Sequence, residues 1–369
     1  MSRQKLLTRL FAALAVVIIA ALVCTALVMN ATQTHAAGGK GKSTPRFVHF
    51  HHNFSDASLA STSLKHWSSS FVSGGKTFKY TMVGTNPTKG SHTSKIPVTV
   101  VPLILKFSNG ASFDGTQKVA GTTQSPIFQS APFISGTTQY GDAIQRAEFW
   151  NSVSTTSPNY HVLLGTPTVA PAITIQVPAA DGATAKDSSS GKTIGIIDIN
   201  WFDPQIQTLL VSQHFTSNML PIFLSNNVYL SSGAPSISNC CIGGYHNATS
   251  AQKTAQTYIW TTNADAGIEG GFGEDVSALS HELAEWLNDP FTNNTVPNWI
   301  SPIAQQYGCN NFLEVGDPLV GVVFTVTGFS SSHLQDEAFF SWFARQSPSI
   351  AINGKYTYLG TFTQLSQVC

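Results

Sequence analysis

The stretch that organises the chain is Asp275-Val-Ser-Ala-Leu-Ser-His-Glu-Leu-Ala-Glu-Trp-Leu-Asn-Asp-Pro290. It predicts one helix, because Asp275 can cap the N-terminus and Pro290 blocks continuation past Asp289. Apolar residues recur along it at i, i+3 and i+4 spacing and predict a buried stripe: Val276, Leu279, Leu283, Trp286 and Leu287. The charged residues of the helix are therefore expected on its opposite side.

Three charged side chains share that opposite side. At about 100° per residue, His281, Glu282 and Glu285 fall together. His281 and Glu285 are i, i+4 neighbours, so both side chains can reach one point above the helix. This is the geometry of the H-E-x-x-H zinc helix, with a carboxylate in place of the second histidine. A solvated helix face is the alternative interpretation, since His and Glu are ordinary surface residues.

A catalytic zinc ion needs three protein ligands and leaves its fourth position to water. His281 and Glu285 supply two ligands, and Glu282 is then the general base for a metal-activated water that attacks a carbonyl. The third ligand is expected from Glu314-Val-Gly-Asp317, with Glu314 on the metal and Asp317 either orienting His281 or binding in place of Glu314. The alternative is an ordinary Gly-Asp-Pro turn. One histidine and two carboxylates form a hard ligand set, so calcium or manganese is a candidate beside zinc.

Other residues are further candidates for this site. Asp289 is a second choice for the third ligand, although Asp before Pro mostly marks a helix end. His246 and His333 could each be a ligand or a transition-state donor, although a lone histidine is usually neither. Three histidines near the N-terminus could also bind metal, but exposed polar residues are the favoured interpretation there: His49, His51 and His52.

Composition and the N-terminus indicate export. The charged fraction is 10%, the net charge is zero, and no basic patch stands out, so nucleic acid is not an expected partner. Arg3, Lys5 and Arg9 precede an apolar run at 10–29, and small residues follow it. Residues 1–36 are therefore predicted to be a signal peptide or, because the run could span a membrane, an N-terminal anchor. Either way, the basic flank places the rest of the chain outside.

Four cysteines lie beyond the apolar run: Cys240, Cys241, Cys309 and Cys369. An even number in an exported chain predicts two disulfides. Because neighbouring cysteines bridge each other only with strain, Cys240 and Cys241 are expected to pair separately with Cys309 and Cys369, in an order left open. A cysteine-ligated metal is the alternative, but the paired C-x-x-C spacing of such sites is missing.

The rest of the chain predicts one large α+β domain at 61–369, entered by a Gly-, Lys- and Ser-rich linker at 37–60. The metal site is expected within 275–319. Gly/Ser/Pro turns between the strands favour an antiparallel or mixed sheet. Strands are predicted at 96–107 (where prolines favour an edge or a bend), 160–164, 172–177, 193–201, 220–230, 257–262, 319–326 and 353–362, and further helices at 140–153, 206–214 and 334–346.

Three blocks in this order resemble a known group of proteins: Ser280-His-Glu-Leu-Ala-Glu-Trp-Leu-Asn-Asp-Pro290, Asn298-Trp299 and Glu314-Val-Gly-Asp317. They are similar to uncharacterised secreted bacterial zincin-like proteins with an H-E-x-x-E helix. More distantly, they resemble the Exordium or phosphate-induced proteins of plants. A further similar block is Cys-Cys-Ile-Gly-Gly-Tyr-His246, so the resemblance is confined to 239–319.

The resemblance implies a zincin-like metallopeptidase domain, in which His281, Glu282, Glu285 and either Glu314 or Asp317 carry the catalytic region. It implies no particular substrate. The sequence therefore predicts an exported zinc-dependent hydrolase, namely a metallopeptidase acting on a peptide or protein. The alternative is a non-catalytic extracellular protein that binds a cell-surface ligand and retains a structural or vestigial metal site. Convergence of Glu314 or Asp317 on His281 and Glu285 at the floor of an open groove would favour the enzyme, whereas acids that splay into solvent would exclude it.

Overall fold

The computed structural model describes residues 34–35, 50, 54, 56–250 and 254–369 of the chain. Apart from residues 34–35, the predicted signal peptide or anchor lies outside the described residues, as do His49, His51 and His52. Gln33–Cys369 form one compact unit. Among the described residues, no helix combines the length and the apolar character needed to cross a membrane.

The fold is mixed α+β, as predicted, and consists mostly of strands with few helices. The strands are β1 (Thr34–His35), β2 (His66–Ser73), β3 (Lys76–Val83), β4 (Thr93–Ile96), β5 (Val98–Phe107), β6 (Ser112–Asp114), β7 (Ala131–Phe133), β8 (Gly136–Thr138), β9 (His161–Leu164), β10 (Thr168–Val169), β11 (Ile173–Val177), β12 (Gly182–Lys186), β13 (Thr193–Asp198), β14 (Leu220–Asn226), β15 (Val228–Ser231), β16 (Cys240–Ile242), β17 (Gly244–Thr249), β18 (Gln256–Asn263), β19 (Thr295–Ile300), β20 (Cys309–Phe312), β21 (Val322–Val326) and β22 (Phe329–Gln335). The helices are α1 (Asp56–Ala60), α2 (Val119–Thr123), α3 (Tyr140–Glu148), α4 (Trp150–Val153), α5 (Ile199–Ser212), α6 (Ser277–Asn288) and α7 (Phe340–Phe343). Short 3-10 helices lie at Pro87–Lys89, Gly115–Lys118, Ile268–Gly271, Gln305–Tyr307, Asp317–Leu319 and Ile352–Gly354.

A mixed sheet in the order β10-β5-β14-β18-β17 forms the centre, and β6 and β11 also pair with β5. β5, β14 and β18 run parallel, whereas β17 is antiparallel to β18, so the prediction of a mixed sheet is confirmed. Of the two positions that the prolines of 96–107 favour, an edge or a bend, the edge is excluded, because β5 has neighbours on both sides. Pro102 lies between the residues of β5 that pair with β10 and those that pair with β11. Proline has no amide hydrogen to donate, and it is tolerated here because the pairing along this side of β5 is interrupted at that point.

Helices α5 and α6 cover opposite faces of this sheet. Successive side chains of a strand point to opposite faces, and Tyr245 of β17 stacks on Trp260 in the cluster that α5 completes through Phe202. The next residue, His246, faces α6 instead. α6 also packs against β3, β18, β22 and α3, where Gly141 lets α3 approach closely: a Cβ there would lie 2.8 Å from Leu287 Cδ1. The whole circumference of α6 is therefore buried.

Several predicted elements differ from the structure near the C-terminus. The helix predicted at 334–346 is wrong: β22 ends at Gln335, and only Phe340–Phe343 are α-helical. The strand predicted at 353–362 is wrong too, since that segment contributes a single bridge between Ala338 and Thr357. The aromatic residues here are buried as expected, but they pack in several directions, with Phe340 on Tyr80 and Trp342 on Trp299. Tertiary packing thus overrides the helical periodicity.

Two other boundaries shift for local reasons. The strand predicted at 193–201 ends at Asp198, whose side chain accepts a hydrogen bond from Asn200 N and caps α5, so the helix predicted at 206–214 starts earlier. The strand predicted at 220–230 is two strands in two sheets, separated by Asn227 at φ 55°. Asn adopts this left-handed conformation more readily than most residues, which permits the change of direction.

The structure contains two disulfides, as predicted, but their expected pairing is wrong: the bonds are Cys240–Cys241 and Cys309–Cys369. Cys240 and Cys241 are buried in β16 beside β15, whereas Cys309 starts β20 near the surface. The bridge between Ile300 and Gln367 brings the C-terminus to this surface. The two disulfides fit a non-cytoplasmic protein.

We expect the Cys309–Cys369 bond to contribute more stability than Cys240–Cys241. It joins residues 60 positions apart, for which the chain-entropy model gives about 4 kcal/mol, whereas adjacent cysteines close almost no loop. Urea denaturation of the double variant Cys309→Ser/Cys369→Ser should therefore show a loss of at least about 2 kcal/mol. A loss no larger than that of Cys240→Ala/Cys241→Ala would contradict the prediction.

Glu148 should make stability depend on pH. It is buried at the end of α3, where burial raises its pKa from 4.5 to about 8 despite a hydrogen bond from Phe340 N. In the unfolded chain this group ionises near its ordinary pKa of 4.5. The stability that its raised pKa gives the folded protein is therefore fully present below about pH 4.5 and is lost as the pH rises to about 8. Glu148→Gln keeps the acceptor oxygen without the charge. Its advantage in unfolding free energy over the wild type should grow with pH and exceed about 1 kcal/mol at pH 8; a constant difference between pH 4 and pH 8 would refute this.

Candidate metal centre

Helix α6 carries three of the predicted site residues on the side that faces β17. His281, Glu282 and Glu285 are 6%, 5% and 4% exposed, so the interpretation as a solvated helix face is wrong. The helix ends before Pro290 as predicted. The predicted cap is wrong: Val276 occupies the N-cap position, and Asp275 instead accepts hydrogen bonds from the backbone and ring of His333.

The loop between β20 and the 3-10 helix Asp317–Leu319 lies against the same side of α6. Backbone hydrogen bonds fix it: Gly316 N donates to Glu285 Oε1 at 3.1 Å, and Gly316 O accepts from Gln335 Nε2 at 2.8 Å. Ala338 N also donates to Val315 O at 2.9 Å. The loop thereby presents the carboxylate of Asp317 to His281.

His281, Glu285 and Asp317 form a group that could hold a metal ion. His281 Nε2 lies 3.3 Å from Glu285 Oε2 and 3.5 Å from Asp317 Oδ1. Donor atoms about 2.0 to 2.2 Å from a tetrahedral zinc ion are about 3.3 to 3.6 Å apart, so the spacing fits such an ion. The structure places Asp317 here, not Glu314, whose Oε2 lies 3.9 Å from His246 Nε2.

A second group shares Glu285 with the first and consists of His246, Glu282 and Glu285. His246 Nδ1 lies 3.4 Å from Glu282 Oε2 and 3.6 Å from Glu285 Oε2. The sequence singled out His246 as a lone histidine outside any predicted strand, whereas it lies in strand β17. Tyr245 and Asn247 both point towards α5. Because successive side chains of a strand alternate between the two faces, a strand prediction here would have placed His246 on the opposite face.

The charges of these groups are strongly coupled. Burial disfavours the charged ring of His281, but the carboxylates of Glu285 and Glu282 outweigh it and raise the pKa of His281 well above its usual value. Burial likewise opposes protonation of His246, whose pKa is raised by Glu314, Glu282 and Glu285. Burial tends to raise the pKa of Glu285, but the two histidines hold it well below its usual range. In Glu282 burial prevails and raises the pKa. A metal ion would replace the ring protons, so its affinity should fall in acid.

Gln335 contacts the other ring nitrogen of His281, and no sequence pattern points to this residue. Gln335 Nε2 lies 2.8 Å from both His281 Nδ1 and Gly316 O. An amide nitrogen can donate to both, which leaves the proton of a neutral ring on His281 Nε2. A metal on Nε2 needs that proton on Nδ1, and Gln335 then has to present its amide oxygen instead, by a turn of about 180°.

A third group at the start of α6 contains Glu274, Asp275 and His333. It is half-buried, and His333 Nδ1 lies 2.6 Å from Asp275 Oδ2. This hydrogen bond, opposed by burial, raises the pKa of His333. The group is a hydrogen-bonded pair with a neighbouring acid, and the structure does not bring His333 to His281. Asp289 belongs to none of these three groups, and its carboxylate accepts hydrogen bonds from Asn293 N and Asn294 N after the helix.

Gly316 should be essential to the centre, because a Cβ there would lie 2.5 Å from His281 Nδ1. We expect Gly316→Ala to displace the ring and to lower zinc affinity about 10- to 100-fold, as changes beside metal ligands do. Isothermal titration calorimetry measures this. Gly121→Ala is the matched control, since nothing lies within 4 Å of its added Cβ. Equal zinc affinity in the two variants would contradict the prediction.

The comparisons with known proteins give no family for this chain. Searches of protein-family models, of curated proteins and of solved structures found no match. The resemblance to secreted zincin-like proteins therefore remains a prediction from the motifs. What the structure provides is a set of buried histidine and carboxylate groups that could hold a metal ion.

Proposed function

We propose that this protein is an exported zinc-dependent hydrolase, and specifically a metallopeptidase. The observation that supports it best is the convergence of His281, Glu285 and Asp317 at the spacing of zinc ligands. The sequence order of these residues agrees with the zincin-like motif. Export is supported by the basic and apolar N-terminal pattern and by the two disulfides.

Each residue of the group has a defined task in this proposal. A bound zinc ion supplies Lewis-acid polarisation and a lowered pKa of water. His281, Glu285 and Asp317 hold it, and Glu282 accepts the proton of the attacking water. Glu282 Oε1 is 3.8 Å from His281 Nε2, close enough to serve the same water. Its raised pKa suits this work, since a general base is most effective when its pKa approaches the working pH.

The ligand set differs from that of the H-E-x-x-H helix in having Glu285 where a second histidine would stand. Two carboxylates partly neutralise the charge of a divalent ion and should acidify its water less than neutral ligands do. They also favour harder cations, so manganese and calcium belong in any metal test beside zinc.

A second candidate function is non-catalytic extracellular binding with a structural metal. The burial of the group favours it, because the side chains of His281, Glu285 and Asp317 are 8%, 5% and 6% exposed. Catalytic zinc sites keep one position open to water and substrate, whereas structural sites are closed. Metal binding without hydrolysis would identify this function.

The test is metal content and activity of the purified extracellular region. After dialysis against zinc, mass spectrometry should find about one tightly held equivalent in the wild type and none in Asp317→Ala or Glu285→Ala. Glu282→Gln should keep that equivalent and lose about 100-fold or more of its activity on a peptide library. Glu274→Ala, outside the group, is the control and should match the wild type.

Two results would count against the proposal. A wild type that holds no zinc, manganese or calcium after dialysis would remove the metal-dependent function altogether. A wild type that holds the metal but cleaves no peptide, with Glu282→Gln indistinguishable from it, would leave the structural metal in its place.

A further inference from the structure

We infer that the site takes a second divalent cation, bound by His246, Glu282 and Glu285, and that Glu282 then stops acting as a base. The binding of the second ion stands on its own geometry. Its effect on hydrolysis rests on the proposed function. The ion belongs to the class that prefers imidazole and carboxylate donors, with zinc as the probe.

The geometry of the second group meets the requirements of a metal site. His246 Nδ1, Glu282 Oε2 and Glu285 Oε2 lie within 4.8 Å of one another. The two distances from the histidine are 3.4 and 3.6 Å, which match the separation of about 3.3 to 3.6 Å between zinc ligands. They are long for a hydrogen bond, whose donor and acceptor are usually about 2.9 Å apart.

The other nitrogen of the same ring is an independent observation. His246 is 5% exposed, and within the described residues its Nε2 has no hydrogen-bond partner. When Nδ1 binds a metal, the ring proton must be on Nε2, which points towards Glu314 Oε2 at 3.9 Å. A carboxylate behind a metal-binding histidine is the usual means of fixing its tautomer. This gives Glu314 a positioning role that differs from the ligand role predicted from sequence.

The two groups are joined through both glutamates of α6. Glu285 Oε2 lies near both histidines, at 3.3 Å from His281 Nε2 and 3.6 Å from His246 Nδ1. Glu282 divides its oxygens, with Oε1 towards His281 and Oε2 towards His246. Shared carboxylates reduce the repulsion between two cations but do not remove it. The second ion should therefore bind more weakly than the first.

Occupation of the second position changes what Glu282 can do. A carboxylate oxygen that coordinates a cation is a poor proton acceptor, because the cation stabilises the ionised form. Hydrolysis should rise as the first equivalent of zinc binds and fall as the second does. The site would thus be active with one ion and inhibited at higher zinc concentration.

The experiment titrates the metal-free full-length protein with zinc by calorimetry, with metal counted by mass spectrometry. The wild type should bind about two equivalents, the second at least about 10-fold more weakly, and His246→Ala should bind one. Glu314→Gln should weaken only the second equivalent, about 10- to 100-fold, and provides the answer if His246→Ala fails to fold. His333→Ala is the histidine control and should bind two.

The second measurement is the peptide hydrolysis of each protein at two zinc concentrations. The ratio of peptide hydrolysis at one equivalent to that in excess zinc should exceed about 10 in the wild type and approach 1 in His246→Ala. If the wild type binds only one equivalent of zinc and Asp317→Ala binds none, the second site is overturned and the proposed function still stands. Two equivalents in His246→Ala would also overturn it. No zinc in any variant would overturn both proposals.

Discussion

A helix that is buried around its whole circumference must bury its ionisable side chains as well, and α6 is such a helix. Moving a charged group out of water costs several kcal/mol unless oppositely charged partners surround it. His281, Glu282 and Glu285 meet this requirement by facing His246 and Asp317 from other elements, and His246 in turn lies beside Glu314. The rest of the domain can be understood as the set of elements that bring these partners to one side of α6.

Two glycine backbones lie directly against side chains of the cluster. A Cβ at Gly244 would lie 2.7 Å from Glu282 Cγ, and one at Gly316 would lie 2.5 Å from the ring of His281. Because a glycine has only a hydrogen atom in place of Cβ, strand β17 and the loop before Asp317 can both approach α6 closely. The side chains between them have little freedom to turn away, as a preorganised binding site requires.

The sequence predicted what is local and left open what depends on distant contacts. The periodicity of Leu279, Leu283 and Trp286 and the stop at Pro290 were sufficient to predict α6 and the side on which His281 and Glu285 meet. Nothing local could choose between Glu314 and Asp317, because that depends on the backbone bonds of Gly316 to Glu285 and Gln335.

The same limit explains the misplaced elements. Gln335 was assigned to the helix predicted at 334–346, where the aromatic residues that follow it suggest a helix face, and no strand was predicted at His246. In both cases strand pairing decides: β22 pairs with β21, and β17 with β18. Both pairs join strands that follow each other directly in the chain, but whether such a short segment becomes a strand depends on how its side chains pack against the rest of the fold, and a single sequence carries little information about that packing. The vicinal Cys240–Cys241 bond was missed for a different reason, since the strain argument excluded it.

The residues of the centre come from three separated parts of the chain, namely β17, α6 and the loop that ends at Asp317. In the unfolded protein they are scattered, so the centre can assemble only after β17 has paired with β18 and after α6 and the loop before Asp317 have docked. A cation that binds this arrangement binds the native state and not the unfolded chain. By mass action its concentration then adds to the resistance of the whole domain to unfolding, and the metal supply of the surroundings becomes a determinant of the lifetime of the protein.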